Sequence, residues 1–190
     1  MAGNEKLYGV LALQGDYEKH QQSLTHLGAR TIFVKTLDEL SRVHALVIPG
    51  GESTTMLRLL DYYGMFDILR KFGAQKPIFG TCAGAILMAR TVSSPAQKSL
   101  DLMDMDVERN AYGRQVDSRI VRLDSALGDL EAVFIRAPII RRTGPGVEVL
   151  ASYLGDAVLV RQGRHLAASF HPELTGDTRV HQYFMDIVEA

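Results

Sequence analysis

Short apolar runs alternate with amphipathic stretches in the first half of the chain. Continuous apolar runs bounded by turn residues are typical of buried strands. Four such runs predict strands: Leu7–Leu13, Thr31–Val34, Ala45–Ile48 and Pro77–Phe79.

Helical patterns separate these strands. One helix is predicted to begin at Asp16, which is placed as its N-cap, and to end near Leu27. A second covers Ser53–Tyr63, with Ser53 or Thr54 as its cap, and a third covers Ala83–Arg90. Strands that alternate with helices in this order predict a mostly parallel open sheet with helices on both faces, an α/β fold.

The pattern changes after about Ser93. Shorter apolar segments, separated by glycine, proline and aspartate turns, predict antiparallel strands added to the sheet edge in the C-terminal half. They are Asp101–Leu123, Glu131–Ile135, Val147–Leu150, Ala157–Arg161 and Leu166–Phe170. The chain ends in a predicted helix with an apolar stripe at Val180, Tyr183, Phe184, Ile187 and Val188. With no repeat or linker, residues 1–190 are predicted to form one domain.

Composition narrows the classes of function. The 21 basic and 22 acidic residues give a formal net charge of −1, so the sequence does not favour a nucleic-acid partner, which usually requires a basic face. The single cysteine excludes an internal disulfide. No secretory signal and no apolar stretch long enough for a membrane span is found, so we expect a cytoplasmic protein without a membrane partner.

That one cysteine, Cys82, lies in FGTCAGAI between Gly80 and Gly84. Glycines at this spacing after a strand are typical of a nucleophile elbow, a sharp strand-to-helix turn. Such a turn would present the sulfur at a helix N-terminus, where thiolate is favoured, and leave the N–H of Ala83 available to an oxyanion. The alternative is a buried core cysteine without a chemical role.

A thiol nucleophile needs a base, and the chain has six histidines. His20, His26 and His181 fall on predicted helices and are interpreted as surface or half-buried residues. His171 differs, because SFHPEL ends a strand and places Glu173 two residues further on. Residues i and i+2 of an extended segment point the same way, so the carboxylate can reach the imidazole. The alternative is a histidine and a glutamate without a shared task.

Metal-binding patterns are absent from the sequence. H-x-E opens the zinc deaminase signature, but the P-C-x-x-C that must follow is missing, and so is H-E-x-x-H. We therefore expect no metal site.

The glycine loop IPGGESTT, residues 48–55, follows a strand and opens a helix. It lacks the Gly-Lys-Ser/Thr of a phosphate loop. Its N–H groups could instead face a cleft at the carboxyl end of the strand, and Gly50 and Gly51 could supply a second oxyanion donor. An ordinary strand-to-helix connection is the simpler interpretation, and the two are compatible.

Together, PGGEST, FGTCAG and SFHPEL resemble the class I (triad) glutamine amidotransferases, which have a flavodoxin-like fold. LALQGD, VERNAYGRQVDS and FIRAP are similar to the glutaminase-subunit family of pyridoxal 5′-phosphate synthase, which acts in vitamin B6 biosynthesis. The resemblance runs nearly end to end. Tyr112 stands where phenylalanine is expected, and Arg119 where the family often has an aromatic residue, so both could alter the pocket wall or the docking face.

The resemblance implies a role for each matching residue. Cys82 would be the nucleophile, and His171 and Glu173 would complete a triad. Gly51 and Ala83 would hold the oxyanion, and no cofactor would be needed. The remaining residues would line the glutamine pocket or hold the amino-acid end of the substrate: Gly51, Glu52, Ser53, Arg109, Ile135 and Arg136.

The resemblance also implies the reaction and the partner. L-Glutamine would be hydrolysed to glutamate and ammonia through a thioester, and the ammonia would pass to a (β/α)8-barrel synthase subunit in a hetero-oligomeric complex. Docking would raise the activity. Three alternatives stay open: a glutaminase of another synthase, such as the imidazole-glycerol phosphate enzyme, a non-catalytic module with an inert Cys82, and a stand-alone cysteine hydrolase.

Overall fold

The computed structural model describes residues 6–110 and 118–190, so Tyr112 lies outside the described residues. In these two ranges no helix combines the length and the apolar character needed to cross a bilayer.

The strands are β1 (Leu7–Leu11), β2 (Arg30–Val34), β3 (Ala45–Ile48), β4 (Ile78–Thr81), β5 (Ala89–Ser93), β6 (Met103–Glu108), β7 (Arg119–Ser125), β8 (Gly128–Phe134), β9 (Ile139–Thr143), β10 (Glu148–Tyr153), β11 (Asp156–Gln162) and β12 (His165–Ala168). The helices are α1 (Tyr17–His26), α2 (Leu37–Arg42), α3 (Ser53–Tyr62), α4 (Phe66–Gln75), α5 (Ala83–Met88) and α6 (Arg179–Glu189), and a 3-10 turn covers Pro172–Leu174.

One sheet connects the strands of the described ranges. Its path runs β2-β1-β3-β4-β12-β11-β10-β7-β8, and β5, β6 and β9 form a branch that joins at β11. The first five strands of the path are parallel. From β12 onward, the neighbours on the path are antiparallel. The predicted parallel sheet and its antiparallel additions in the C-terminal half are both confirmed.

Helices cover both faces of the parallel part. Successive strand residues point to opposite faces, and β3 shows the consequence. Leu46 and Ile48 pack in one apolar cluster with residues of α3, α4 and α5. Ala45 and Val47 pack in a second cluster with residues of α1 and α6. Strand β3 therefore carries two buried rows, which explains why its segment is continuously apolar.

Several predicted boundaries are wrong. The segment predicted as strand over Asp101–Leu123 contains β6 and the start of β7. The third predicted helix ends at Met88, and Ala89 begins β5. Helices α2 and α4 were not predicted, although Thr36 and Glu39 form a capping box at the start of α2.

The predicted helix caps also need correction. Asp16 occupies the N-cap position of α1, but its side chain makes no capping hydrogen bond. The N-cap of α3 is Glu52 rather than Ser53 or Thr54. The Glu52 carboxylate accepts from the backbone N–H of Thr54 at 3.1 Å and from that of Thr55 at 2.7 Å. A carboxylate suits this position because helix N-termini carry partial positive charge.

Candidate active site

The parallel strands bring distant segments to one edge of the sheet. In the register of β3, β4 and β12, Ile48 lies beside Gly80 and Thr81 beside Ala168. The residues after these strands therefore meet at the carboxyl edge, where open α/β sheets bind ligands. They are the Gln14–Asp16 turn after β1, the Gly50–Ser53 loop after β3, Cys82 after β4 and His171 after β12.

Cys82 occupies the sharp turn between β4 and α5. Its backbone angles are φ 47° and ψ −103°, a left-handed conformation that costs roughly 1–3 kcal/mol for a residue with a side chain. A Cβ at Gly84 would collide with the carbonyl oxygen of Ile48, so only glycine lets the helix approach the neighbouring strand. The side chain is mostly buried but lines the cleft described below.

His171 joins the cysteine to a carboxylate. Its Nδ1 lies 2.7 Å from Oε1 of Glu173, and the ring also interacts with the side chain of Cys82. Because Glu173 occupies Nδ1, the ring nitrogen that faces the sulfur is Nε2. Pro172 opens the 3-10 turn between the two acid–base residues, so the segment is not extended as the sequence argument assumed, although the expected contact is present.

The electrostatic environment favours the protonated imidazole. Burial by itself would lower the pKa of His171, but the hydrogen bonds and negative charges of Cys82 and Glu173 outweigh it and raise this pKa to about 10. At neutral pH the imidazole of His171 is therefore protonated. An adjacent imidazolium is a common way to activate a cysteine.

A cleft of about 300 Å³ opens at this sulfur. All six residues that the resemblance assigned to glutamine binding line it, together with five that the sequence analysis did not assign. The first group is Gly51, Glu52, Ser53, Arg109, Ile135 and Arg136, and the second is Gln14, Asp16, Ile86, Asn110 and Pro138. The motif LALQGD pointed to Gln14 and Asp16 only as part of the resemblance.

One wall of the cleft carries charge. Arg109 is 11% exposed at its side chain, and its Nη2 donates to Thr54 Oγ1 at 2.7 Å and lies 3.6 Å from Glu52 Oε1. Arg136, two residues after the end of β8, is exposed and has a positive φ of 43°. The Ser53 hydroxyl is already engaged, because it donates to Oε1 of Gln97 at 3.1 Å.

The two expected oxyanion donors belong to different elements that border the cleft. Ala83 is the first residue of α5, so its N–H has no partner within the helix. Gly51 has a φ of 140° and follows β3. Gln14 holds this loop, since its Oε1 accepts from the N–H of Glu52 at 3.1 Å.

Asp16 adds a second carboxylate beside the triad. One potential ligand atom from each of Asp16, His171 and Glu173 lies within 4.8 Å of the others, which is a spacing that a metal ion could bridge. Such an ion would compete with the short bond between His171 and Glu173. The expectation of no metal stays a prediction, to be tested with a chelator.

Two histidines contradict the sequence interpretation. His20 and His181 were assigned to the surface or to half-buried positions, but neither is exposed to solvent. Both pack behind Glu173, and His20 Nδ1 lies 2.9 Å from His181 Nε2. Burial keeps the pKa of each ring well below its ordinary value, so both are neutral.

Similarity to known proteins agrees with this arrangement. Residues 10–190 match the model of the SNO glutamine amidotransferase family. A Solibacter usitatus protein named pyridoxal 5′-phosphate synthase subunit PdxT is 56% identical over 188 residues, covering 95% of this chain and 98% of that protein. A Koribacter versatilis protein of the same name is 56% identical over 182 residues and covers 95% and 94%.

Solved structures give the same result. One described as a glutamine amidotransferase superposes with a TM-score of 0.90 at 48% identity, covering 96% of this chain and 99% of the other. A second, from Thermoplasma acidophilum and described as part of a putative GMP synthase, shares the fold over 98% and 95% of the two chains, at 16% identity and a TM-score of 0.71. From the family match and the identities to the named relatives, the chain belongs to the SNO glutamine amidotransferase family.

Proposed function

We propose that this chain is the glutaminase subunit of a pyridoxal 5′-phosphate synthase, which hydrolyses L-glutamine and delivers the ammonia to a synthase subunit. The observation that carries the chemistry is the contact chain Cys82–His171–Glu173 at an open cleft. A nucleophile bonded to a base, with the base oriented by a carboxylate, is the arrangement that acyl transfer requires.

The first step is attack by the Cys82 thiolate on the side-chain amide carbon of glutamine. A C–S bond forms, and the electron pair of the C=O bond moves to oxygen. The N–H groups of Ala83 and Gly51 are the proposed donors to that oxyanion. A well-placed donor of this kind stabilises the transition state by about 3 kcal/mol.

The second step releases ammonia. The proton that His171 holds at Nε2 passes to the amide nitrogen, the C–N bond breaks, and a γ-glutamyl thioester remains on Cys82. His171 then accepts a proton from water as the water attacks the thioester carbon. The C–S bond breaks, and glutamate leaves. Glu173 stays ionised throughout and holds the imidazole in one orientation.

The other wall of the cleft is proposed to bind the amino-acid end of glutamine. Arginine presents a planar fork of donors that fits an α-carboxylate, and Arg109 and Arg136 both line the cleft. The Glu52 carboxylate and the backbone at Ile135 complete this wall and are suited to an α-ammonium group.

The names of the relatives support the partner, because each is described as a subunit of pyridoxal 5′-phosphate synthase. We propose that the partner is a (β/α)8-barrel subunit in a hetero-oligomeric complex. Ammonia released into water at neutral pH would mostly become ammonium and lose its nucleophilicity. Delivery inside a complex therefore makes chemical sense.

The test is glutamine hydrolysis by the isolated chain and by its mixture with the synthase subunit, measured as glutamate and ammonia. Cys82→Ser and His171→Gln should each abolish release, and the chelator EDTA should leave it unchanged. A glutamine-derived electrophile such as 6-diazo-5-oxonorleucine should label Cys82, and the assignment is unambiguous because the chain has one cysteine. Ammonia release by Cys82→Ser at the original rate would refute the mechanism. Equal rates with and without the synthase subunit would remove the activation that the resemblance implies.

A further inference from the structure

A row of buried polar side chains continues behind the triad. Glu173 Oε1 is bonded to His171, but Glu173 Oε2 is buried and has no well-aligned hydrogen bond among the described residues. His20 Nε2 on α1 lies 3.4 Å from this oxygen, and the side chains of His20 and Glu173 are both 0% exposed. His20 Nε2 also lies 3.1 Å from Thr81 Oγ1.

The far side of the His20 ring is equally enclosed. His20 Nδ1 lies 2.9 Å from His181 Nε2 on α6. His181 Nδ1 is buried without a hydrogen-bond partner in the described part of the chain. Helix α1 therefore contacts the carboxylate of the 3-10 turn through one side of the His20 ring and α6 through the other side.

The carboxylate decides which ring nitrogens carry hydrogen. An ionised carboxylate only accepts, so the nitrogen that faces it, His20 Nε2, carries the hydrogen. His20 Nδ1 is then an acceptor, and His181 Nε2–H donates to it. This leaves a bare lone pair at His181 Nδ1. The opposite assignment would bury an N–H there without an acceptor and turn a lone pair of His20 towards the carboxylate, and such orphaned donors are rare.

We propose that His20 is a positioning residue of the glutaminase triad. Its Nε2–H, set by the donor from His181, lies 3.1 Å from Thr81 Oγ1 and 3.4 Å from the outer oxygen of Glu173. Its attraction for that oxygen keeps the inner oxygen bonded to His171. This inference rests on the proposed triad. His20 touches neither the cleft nor the reacting atoms, so its effect reaches the thiolate only through Glu173 and His171.

A neutral ring suits the positioning role of His20. Burial, together with the electrostatic effects of His181 and His171, keeps the pKa of His20 well below its ordinary value. The ring therefore donates without competing with His171 for a proton. The titratable groups around this network are Cys82, His171, His181 and Asp16, and among them only Asp16 is solvent-exposed.

Two amide substitutions separate the contacts of His20. In His20→Gln the amide nitrogen can occupy the place of Nε2 and reach Glu173. In His20→Asn the shorter side chain can place its Oδ1 at the position of Nδ1, where it accepts from His181 Nε2–H, but it does not reach Glu173. Both variants are polar and smaller than histidine, so they carry similar packing defects. His165→Gln is the matched control, because His165 is a buried histidine at the opposite end of β12, where its Nδ1 accepts from the N–H of Ile78.

The experiment measures the rate of Cys82 alkylation by iodoacetamide against pH, with circular dichroism to verify folding. His20→Asn should lower alkylation near pH 6 about tenfold and move the acid limb of the profile upward by about one pH unit, the effect of losing one favourable contact to a charged group. His20→Gln and His165→Gln should keep the wild-type profile. In the complex, His20→Asn should lower kcat with little change in KM.

The inference is overturned if folded His20→Asn and His20→Gln have the same profile, or if His165→Gln shifts it equally. If His20→Asn does not fold, His181→Met provides the comparison, since it removes the donor that sets the His20 tautomer and should shift the profile in the same direction. An unshifted His181→Met would then refute the proposal. Failure of the triad itself would be seen separately, as a wild-type thiol without enhanced reactivity at low pH.

Discussion

Replacing Glu173 by glutamine tests how strongly the carboxylate supports the thiolate. The substitution keeps the shape of the side chain and removes its charge. The lost interaction is a buried 2.7 Å contact to His171 Nδ1. A hydrogen bond to a charged group contributes about 1.5–3 kcal/mol. Since 1.36 kcal/mol corresponds to a factor of ten, the thiolate–imidazolium pair should become about 10- to 100-fold less favourable.

The direction in which the alkylation profile should shift follows from the raised pKa of His171. Losing the negative charge of Glu173 lowers that pKa from about 10, so the proton returns to the sulfur more readily. The acid limb of the alkylation profile should therefore move to higher pH by about one to two pH units. Hydrolysis in the complex should fall by a comparable factor. The amide nitrogen of the new glutamine would also face the N–H of His20, which adds to the loss.

Alkylation of the single cysteine by iodoacetamide, followed by intact-mass spectrometry across pH 5–9, measures this shift without the partner subunit. Glu39→Gln is the control, because that carboxylate belongs to the exposed capping box of α2, away from the cleft. A profile for Glu173→Gln that matches both wild type and Glu39→Gln would show that the carboxylate does not support the ion pair.

Three further predictions concern strain, substrate binding and acid stability. Cys82→Gly should be inactive, but its free energy of unfolding in urea should exceed that of Cys82→Ala by about 1 kcal/mol. The reason is that residue 82 has a φ of 47°, which glycine adopts without strain. Equal stabilities would mean that the turn is unstrained. Arg109→Lys should raise KM for glutamine about tenfold with a smaller change in kcat, because lysine lacks the planar fork; an unchanged KM would exclude this residue from substrate binding. Burial lowers the pKa of His165 to about 4, so its stabilising contribution is complete above pH 6.5 and is lost as pH falls towards 4. His165→Gln should therefore lose less stability than wild type in thermal melts over that interval, and parallel losses would contradict the assignment.

Local patterns predicted the elbow and the acid–base pair. The spacing of Gly80, Cys82 and Gly84 defines a turn within five residues, and the two glycines are needed because backbone or side-chain atoms occupy the space of their missing Cβ atoms. His171 and Glu173 are two residues apart, so their contact depends mainly on local backbone geometry, although that geometry is a 3-10 turn and not the extended segment that the sequence argument assumed. By contrast, Arg109 and Ile135 were assigned only through the family resemblance, because no local signal shows that the ends of β6 and β8 reach the cleft.

Burial of the two histidines behind the triad was missed because each was classified by its polarity. In α1, whose other residues are mainly polar, only His20 and Leu24 are buried, and they are four residues apart on one helical face. His181 lies beside Val180 and Phe184 in the apolar stripe of α6. If neutral histidine is counted as a possible core residue, the apolar stripes of α1 and α6 include both rings and predict their burial. The contact of His20 with Glu173 could not have been predicted this way, because the two side chains belong to separate elements, α1 and the 3-10 turn.

The sheet register separates two walls of the cleft, and the proposed mechanism gives them different functions. Cys82 N donates to Ala168 O at 2.8 Å, directly beyond the pairing of Thr81 with Ala168, so the distance from the sulfur to His171 is fixed by β4 and β12. A slip of one residue would move these side chains by about 3.3 Å and turn them to the other face. The buried apolar rows of both strands oppose such a slip. The opposite wall depends on residues that follow β6 and β8, outside the parallel core. Substitutions in that wall should therefore change substrate binding. Substitutions behind β4 and β12 should instead change the reactivity of the thiol. We expect this even at His20, whose side chain does not contact the substrate.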